Sequence, residues 1–379
     1  MKQTSRILST YSADAFGVAS SLFELGGMVI IHDASGCNST YTTHDEPRWY
    51  DMDSMLFVSA ISEIEAIMGD DNKLISDIVI EAQKFHPRFI AIAGTPIPAM
   101  TGFDAESVAM QIESETGIPS FGFSTTGMHT YISGADKALA ALAERFAKKD
   151  ATPSKDHRIN ILGCTPLDFS TNGQVESMVK LLTDHGWHVN CTYAMNTSWE
   201  SVENLGTADV NLVVSATGRA TAHFLKETFG APYLEAVPYG KDFSKKVIDA
   251  LEMLYQGQEV SLFENVSEAS SDACIIGEEI ASLSLANALF LETGRRFDVL
   301  CPTNEGPLLR TNDHYTPYEE DIIENLSGRN LVISDPTYRN ILTDKVRAVD
   351  WPHEACSGRI YRKYILNLIG DISDISEKL

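Results

Sequence analysis

Basic residues are scarce in this chain. Lys and Arg total 29 against 53 Asp and Glu, a net charge of −24 over 379 residues. So acidic a body repels phosphate backbones and anionic membrane surfaces, which argues against nucleic acid or a membrane as partner and leaves a basic protein open. Long apolar runs are absent too: no stretch reaches the roughly 20 residues of a transmembrane helix. The first ten residues carry two basic side chains but no sustained apolar core, so no signal peptide is expected. Cysteine is sparse and dispersed. Cys37, Cys164, Cys191, Cys274, Cys301 and Cys356 form no CxxC pair, and they fit reduced thiols in the cytoplasm better than a disulfide framework. Two nucleotide signatures are missing. No GxxxxGK[ST] occurs, so no ATP is expected to be bound by this chain, and no GxGxxG follows a strand, against an ordinary NAD enzyme.

What is present is an ordinary globular composition, 44 % hydrophobic and 22 % charged. At roughly 150 residues per domain the length suggests two or three domains. A short apolar run, a Gly or Pro turn and a helical stretch recur. Met28–Ile31, Phe89–Ala93 and Ile118–Gly122 read as strands, with helices at 104–116 and 135–147. The lysine-rich break at 148–158 reads as a linker. A second unit follows, with strands at 158–163, 187–189 and 210–214 and helices at 173–185, 218–229 and 241–256. The third has strands at 273–277, 297–300 and 330–334, helices at 278–293 and 317–326, and a tail helix at about 358–369. The expected fold class is α/β: three Rossmann-like domains at 1–150, 151–262 and 263–379, each with a mainly parallel sheet. Ligands in such folds gather at the carboxyl ends of strands where strand order reverses.

The loop after the first strand, His32-Asp33-Ala34-Ser35-Gly36-Cys37-Asn38, is the least ordinary segment. Gly36 permits close backbone approach, and a Cys37 thiolate there suits iron binding or nucleophilic chemistry. The bland reading is a buried small hydrophobe. His32, Asp33, His44, Asp45 and Glu46 match no zinc spacing and read as solvated loop residues. Two further segments stand out: Glu63 to Leu74, an acidic turn feeding a helix, and Thr95-Pro96-Ile97-Pro98 with Gly102-Phe103-Asp104 beyond.

In this order the three segments resemble the component 1 subunits of nitrogenase and their relatives. That family includes the nitrogenase cofactor scaffold, the dark-operative protochlorophyllide and chlorophyllide reductases, and the nickel-sirohydrochlorin reductive cyclase of methanogens. Asn160 to Gly163 with Thr165 to Phe169, Asn211 to Val214, Gly230 to Tyr233, and Asp350-Trp351-Pro352-His353 with Gly358 and Tyr361 extend the likeness over nearly the whole chain. The resemblance implies three Rossmann-like domains and a dimeric or tetrameric assembly. It also implies an interface iron–sulfur cluster, of the [4Fe-4S] kind, and electrons from a separate ATP-dependent iron protein. Cys37, beside Gly36, matches the middle of the family's three cluster cysteines and is the expected metal ligand. The first would fall near Ser9 to Ser12 and the third at Thr95, and neither place holds Cys. One Cys per chain cannot complete a four-iron cluster. Two ways remain open: a homodimer with extra ligands such as His32, Asp33 or a small molecule, or a heterotetramer with a three-cysteine sister subunit. Where the nitrogenase catalytic chain ligates its large iron cofactor, this chain has Ser215, and His353 aligns poorly with the terminal-loop histidine. Nitrogen fixation by this chain is therefore not expected. An electron-transferring reductase subunit is the first reading. The alternatives are a non-catalytic scaffold or maturation protein binding a metallocluster or tetrapyrrole, and a Rossmann-like small-molecule binder. The substrate stays open.

Overall fold

The computed structural model describes residues 5–34, 36, 38–263 and 270–379. Its strands form three separate sheets in which every pairing is parallel. The first holds β1 (Met28–His32), β2 (Met55–Val58), β3 (Ile90–Gly94) and β4 (Ser120–Phe123) in the order β2-β1-β3-β4. The second holds β5 (Arg158–Leu162), β6 (His188–Tyr193), β7 (Val210–Val213) and β8 (Tyr233–Glu235) in the order β6-β5-β7-β8. The third holds β9 (Ala273–Ile276), β10 (Asp298–Cys301), β11 (His314–Tyr315), β12 (Leu331–Ser334) and β13 (Arg347–Asp350) in the order β11-β10-β9-β12-β13. Strand order reverses between β1 and β3, between β5 and β7, and between β9 and β12. These are the crevices where such folds hold ligands.

The central strands are mainly apolar because both of their faces are covered; the buried Asn160 of β5 and Asn211 of β7 hydrogen-bond to each other at 2.8 Å. Val29, Ile31, Ala91 and Ala93 share one core with Val18, Leu22, Leu139 and Leu142, while Met28, Ile30, Ile90 and Ile92 pack with Ile75, Ile78, Val108 and Ile112. The third sheet alternates likewise: Ile275 and Ile333 face the shared core, and Cys274, Ile276 and Val332 pack with Ile322, Tyr338 and Ile341. One continuous core thus joins all three sheets.

Helix Asp14–Leu22 lies against helix Tyr131–Phe146 with almost no gap. A Cβ at Gly17 would meet Tyr131 O at 2.0 Å, and one at Gly134 would meet Asp14 O at 1.9 Å. Asp14 fixes the approach by accepting the Thr126 and Gly127 N–H groups at 3.0 and 2.8 Å. The packing sets the place of Tyr131.

The tail departs from the expected helix at 358–369. Short turns run at Glu354–Ser357, Gly358–Ile360 and Arg362–Tyr364 instead. Their polar groups are used elsewhere: Arg362 reaches Glu354 at 2.6 Å, Asn172 donates to Ile365 O at 2.8 Å, and Gly240 N–H donates to Leu368 O at 2.9 Å. A continued helix would forgo those contacts, two of which reach the second unit. Among the described residues no helix is long and apolar enough to cross a membrane.

Candidate functional site

The first crevice opens at the ends of β1 and β3. Cys37 and Ser35 lie outside the described residues. Gly36 between them is exposed, with nothing within 4 Å of where a Cβ would stand. The neighbouring polar groups are committed to one another rather than solvated. Asp33 is buried; one of its oxygens lies 2.8 Å from the Thr95 hydroxyl, and the other accepts Asn38 Nδ2. The Thr95 hydroxyl also lies 2.9 Å from His32 O. His32 Nδ1 pairs with Ser59 Oγ at 2.8 Å, and burial pulls this imidazole down to about 4, so it is neutral at pH 7. Asp33 and Thr95 are thus tied up, and His32 keeps one ring nitrogen engaged. Among the described residues no group of three or more His, Cys, Asp or Glu is arranged to hold a metal ion.

The expected solvated residues Asp45 and Glu46 are buried as well. Glu46 is buried because Arg48 neutralises it: the guanidinium donates to Glu46 Oε1 at 2.9 and 2.6 Å and the Arg48 N–H to Oε2 at 2.6 Å. Asp45 accepts the Tyr11 hydroxyl and lies 3.1 Å from Arg359.

Against helix 63–68 the picture differs. A capping box between Ser62 and Glu65 starts it, and the Ile61 N–H donates to Asp33 O at 3.0 Å, so it begins beside the loop that follows β1. None of its residues is buried, yet Ile64, Ile67 and Met68 are each more than 70 % exposed. It packs beside helix Pro96–Thr101, whose Met100 is 88 % exposed. An apolar surface of this kind flanks an interaction site more often than open solvent.

The second region was not legible from local motifs. A cavity lined by Asp168, Gln174, Tyr239, Glu278, Trp351 and His353 lies where the second and third sheets meet, with room for about one water molecule. Asp168 is held in the turn Pro166–Phe169, capped by Thr165, whose hydroxyl donates to Asp168 Oδ2 at 2.6 Å. Tyr131, from the first unit, donates its hydroxyl to Asp168 Oδ1 at 2.6 Å. His353 Nε2 stands 3.7 Å from the same oxygen, and its buried Nδ1 has no hydrogen-bond partner. Asp335, just past β12, fixes this turn by accepting the His353 N–H at 2.8 Å and the Ser357 hydroxyl at 2.7 Å.

Glu278, just past β9, is 2 % exposed. Its oxygens accept the Ala216 N–H at 3.0 Å and the Ala281 N–H at 2.8 Å, so it ties the end of β7 to the helix Glu279–Thr293. Burial pushes its carboxyl up to about 7, and the Asp168 charge adds to the rise. Burial opposes a charge on His353, but the neighbouring Asp168 and Cys356 outweigh it and hold the imidazole well above its usual range. Ser215 does not reach this cavity's acid–base groups; its hydroxyl caps a 3-10 turn by accepting the Thr217 N–H at 3.2 Å. Cys164, Cys191, Cys274 and Cys301 are buried, and burial pushes their thiols up, Cys274 and Cys301 to about 12. They stay protonated and unreactive at neutral pH.

Three all-parallel sheets around one core, with open ground at the first crevice and a small polar cavity between the other two, define a three-unit Rossmann-like α/β architecture. Residues 15–275, more than half of the chain, match the family described as nitrogenase component 1 type oxidoreductase, and the chain belongs to that family. It is 26 % identical over 232 residues to the nitrogenase molybdenum-iron protein alpha chain of Clostridium pasteurianum, covering 60 % of this chain and 41 % of the relative. It is 25 % identical over 212 residues to a component of the light-independent protochlorophyllide reductase of Nostoc punctiforme, covering 52 % and 41 %. The nitrogenase iron-molybdenum cofactor biosynthesis protein NifE of C. pasteurianum is 27 % identical over 203 residues, covering 52 % and 43 %. Each match thus spans less than half the length of the relative. In fold the chain is similar to a solved structure titled nitrogenase Cp1 at pH 5, with a TM-score of 0.59 and 18 % identity, over 96 % of this chain and 80 % of the other.

Proposed function

We propose that this chain is a component 1 subunit of a nitrogenase-like reductase. It accepts electrons from an ATP-dependent iron protein through an iron–sulfur cluster at a subunit interface and uses them to reduce a substrate. Membership of the component 1 family carries the reading. Cys37 is this chain's thiolate to the cluster, and a sister subunit supplies the remaining thiolates. Asp33 and Thr95, hydrogen-bonded to each other, make poor extra ligands in a homodimer. When bound, the cluster passes single electrons between subunits. The chain's own contribution is the open backbone at Gly36 and the apolar flank of Ile64, Ile67, Met68 and Met100, which the sister subunit covers. The proposed domain borders stay near 150 and 262, with the cluster loop in the first domain.

Assembly tests the reading. Co-expressed with its sister subunit and kept free of oxygen, the wild-type chain is expected to run as a complex in light scattering. Ile67→Glu places a charge on the covered face and is expected to weaken association at least tenfold, with the circular dichroism of the chain unchanged. A wild-type chain that stays monomeric at micromolar concentration, or an Ile67→Glu chain that assembles normally, would contradict it.

A further inference from the structure

A larger cavity, of about 550 Å³, lies where the edge strand β8 and the helices Arg219–Phe229 and Lys241–Tyr255 meet the loop 307–310 of the third unit. Sites for small molecules occupy roughly 300–1,000 Å³, so this one has room for a ligand, and it shares no lining residue with the water-sized cavity. Leu254, Leu262, Phe263 and Leu308 supply an apolar wall. The side formed by the third unit is held firmly. The loop 304–308 wraps the buried Glu279 carboxylate: Asn304 Nδ2 donates to one oxygen at 2.9 Å and the Leu308 N–H to the other at 2.8 Å. Gly306 lets the backbone come that close, since a Cβ there would stand 1.7 Å from Glu279 Oε2. Arg219, from the second unit, donates to the same Oε2 at 2.8 Å and so ties the two walls together.

The charges of the wall do not cancel. Arg219 is shared by two carboxylates, Glu235 and Glu279, whose side chains are 10 and 0 % exposed. Arg310 lines the cavity too, but both Asp313 oxygens and the Phe297 carbonyl accept from its guanidinium at 2.8 to 3.0 Å. Three carboxylates therefore stand against two guanidiniums, an excess of one negative charge. Lys226 and Glu259 also line the cavity; both are exposed and opposite in sign, and Lys226 Nζ lies over the Tyr233 ring, 5.4 Å from its centre. The excess sits on Glu235, the last residue of β8. Its Oε1 accepts Arg219 Nε at 2.5 Å, and among the described residues nothing bonds to its Oε2. A carboxylate offers about four acceptor positions, so this one is under-used beside an apolar wall.

We infer that this cavity binds a small organic cation, a primary ammonium that carries an apolar body. The ammonium supplies the missing positive charge and three N–H donors, one of them for Glu235 Oε2. The body displaces water along Leu254, Leu262, Phe263 and Leu308. A carboxylate or phosphate would instead face Glu235 across a poorly hydrated wall, where like charges repel more strongly than in water. The net charge of −24 further favours the approach of a cation. Because the loop 304–308 is already clamped on Glu279, binding orders little of that wall. The site depends neither on Cys37 nor on the electron-transfer reading.

Calorimetric titration of the purified chain with phenethylammonium chloride tests this, with phenylacetate as the probe of similar body and opposite charge. Wild type is expected to bind the ammonium with a dissociation constant below about 1 mM, a range open to so small a ligand, and to give no binding heat with phenylacetate. Glu235→Gln keeps an acceptor for Arg219 but removes the charge, and is expected to weaken binding at least tenfold. Lys226→Met removes the exposed cation and is expected to leave binding unchanged or tighter. Leu262→Trp fills the cavity from a half-buried position and is expected to abolish binding while circular dichroism is kept, so it carries the test if Glu235→Gln does not fold. Phenylacetate binding as tightly as the ammonium, ammonium binding that Glu235→Gln or Leu262→Trp leaves intact, or no binding of either probe would overturn the inference.

Discussion

Replacing Arg48 by Met is expected to destabilise the chain by about 3–5 kcal/mol, the range for removing one partner of a buried ion pair. The guanidinium is 4 % exposed and bonds to three segments: Glu46 twice, Glu24 at 3.0 Å, and the carbonyls of Ser20 at 2.7 Å and Ala194 at 3.1 Å. Ala194 follows β6, so this side chain links the first two sheets. Methionine keeps the stem's packing on Phe23 but leaves Glu46, wholly buried, without its counter-charge. The loss has a defined pH dependence. Burial already raises the Glu46 carboxyl, with Arg48 the main force pulling it back. In Arg48→Met the folded-state value climbs further above the unfolded one, so the folded variant binds a proton that the unfolded chain releases. Its stability deficit against wild type is therefore smallest near pH 5 and grows as pH rises through that folded value. Urea midpoints of both proteins at pH 5, 7 and 8.5 check this; a deficit that is flat with pH, or below about 1 kcal/mol, would refute it.

The second large effect is expected from Gly134→Ala. In a helix interior this change normally gains about 1 kcal/mol of propensity. Here the new methyl carbon would sit 1.9 Å from Asp14 O, a backbone atom that cannot swing aside. Overpacking of this kind costs about 1–3 kcal/mol and more where backbones must part. The clash outweighs the propensity, so a net loss of about 2 kcal/mol or more is expected in thermal or urea unfolding. Gly102→Ala, in open space but at φ +84°, supplies a contrast in which strain acts without any clash. A Gly134→Ala chain as stable as wild type would mean that the two helices are not in backbone contact.

The central strands were readable because burial on both faces makes them mainly apolar: β1, β3, β5, β7, β9, β10 and β12 are apolar runs broken only by a few polar residues such as Asn160 and Asn211. The edges were not. β2 and β13 each have one bare side, and β13 (Arg347-Ala348-Val349-Asp350) reads as loop. Helix Asp14–Leu22 escaped notice because close approach selects Gly, Ala and Ser, the residues with the least helical hydrophobic pattern. The tail failed in the opposite way: an apolar pattern suggested a helix where Arg362 and the backbone at 365–368 bond to other segments. For the first crevice, Gly36 and its strand-end setting were visible in sequence, whereas the mutual engagement of Asp33, Thr95 and Asn38 was not. The cavity drew on Tyr131, Asp168, Glu278 and His353, which only the fold brings together. Its local traces were Thr165-Pro166-Leu167-Asp168 and Trp351-Pro352-His353, which in sequence registered as likeness to a family rather than as acid–base chemistry.

The central claim is that Cys37 ligates an iron–sulfur cluster shared with a sister subunit. Thiolate is the ligand such clusters use, and the other cysteines that the structure describes as buried are held as thiols. Iron and acid-labile sulfide per complex, counted in oxygen-free preparations of wild type and single variants, test it most directly. Wild type is expected to hold both. Cys37→Ala is expected to lose most of the iron and the brown absorbance while its circular dichroism is kept, with Cys191→Ala and Cys274→Ala close to wild type. A wild-type complex without iron, or a Cys37→Ala complex with its full complement, would contradict the account.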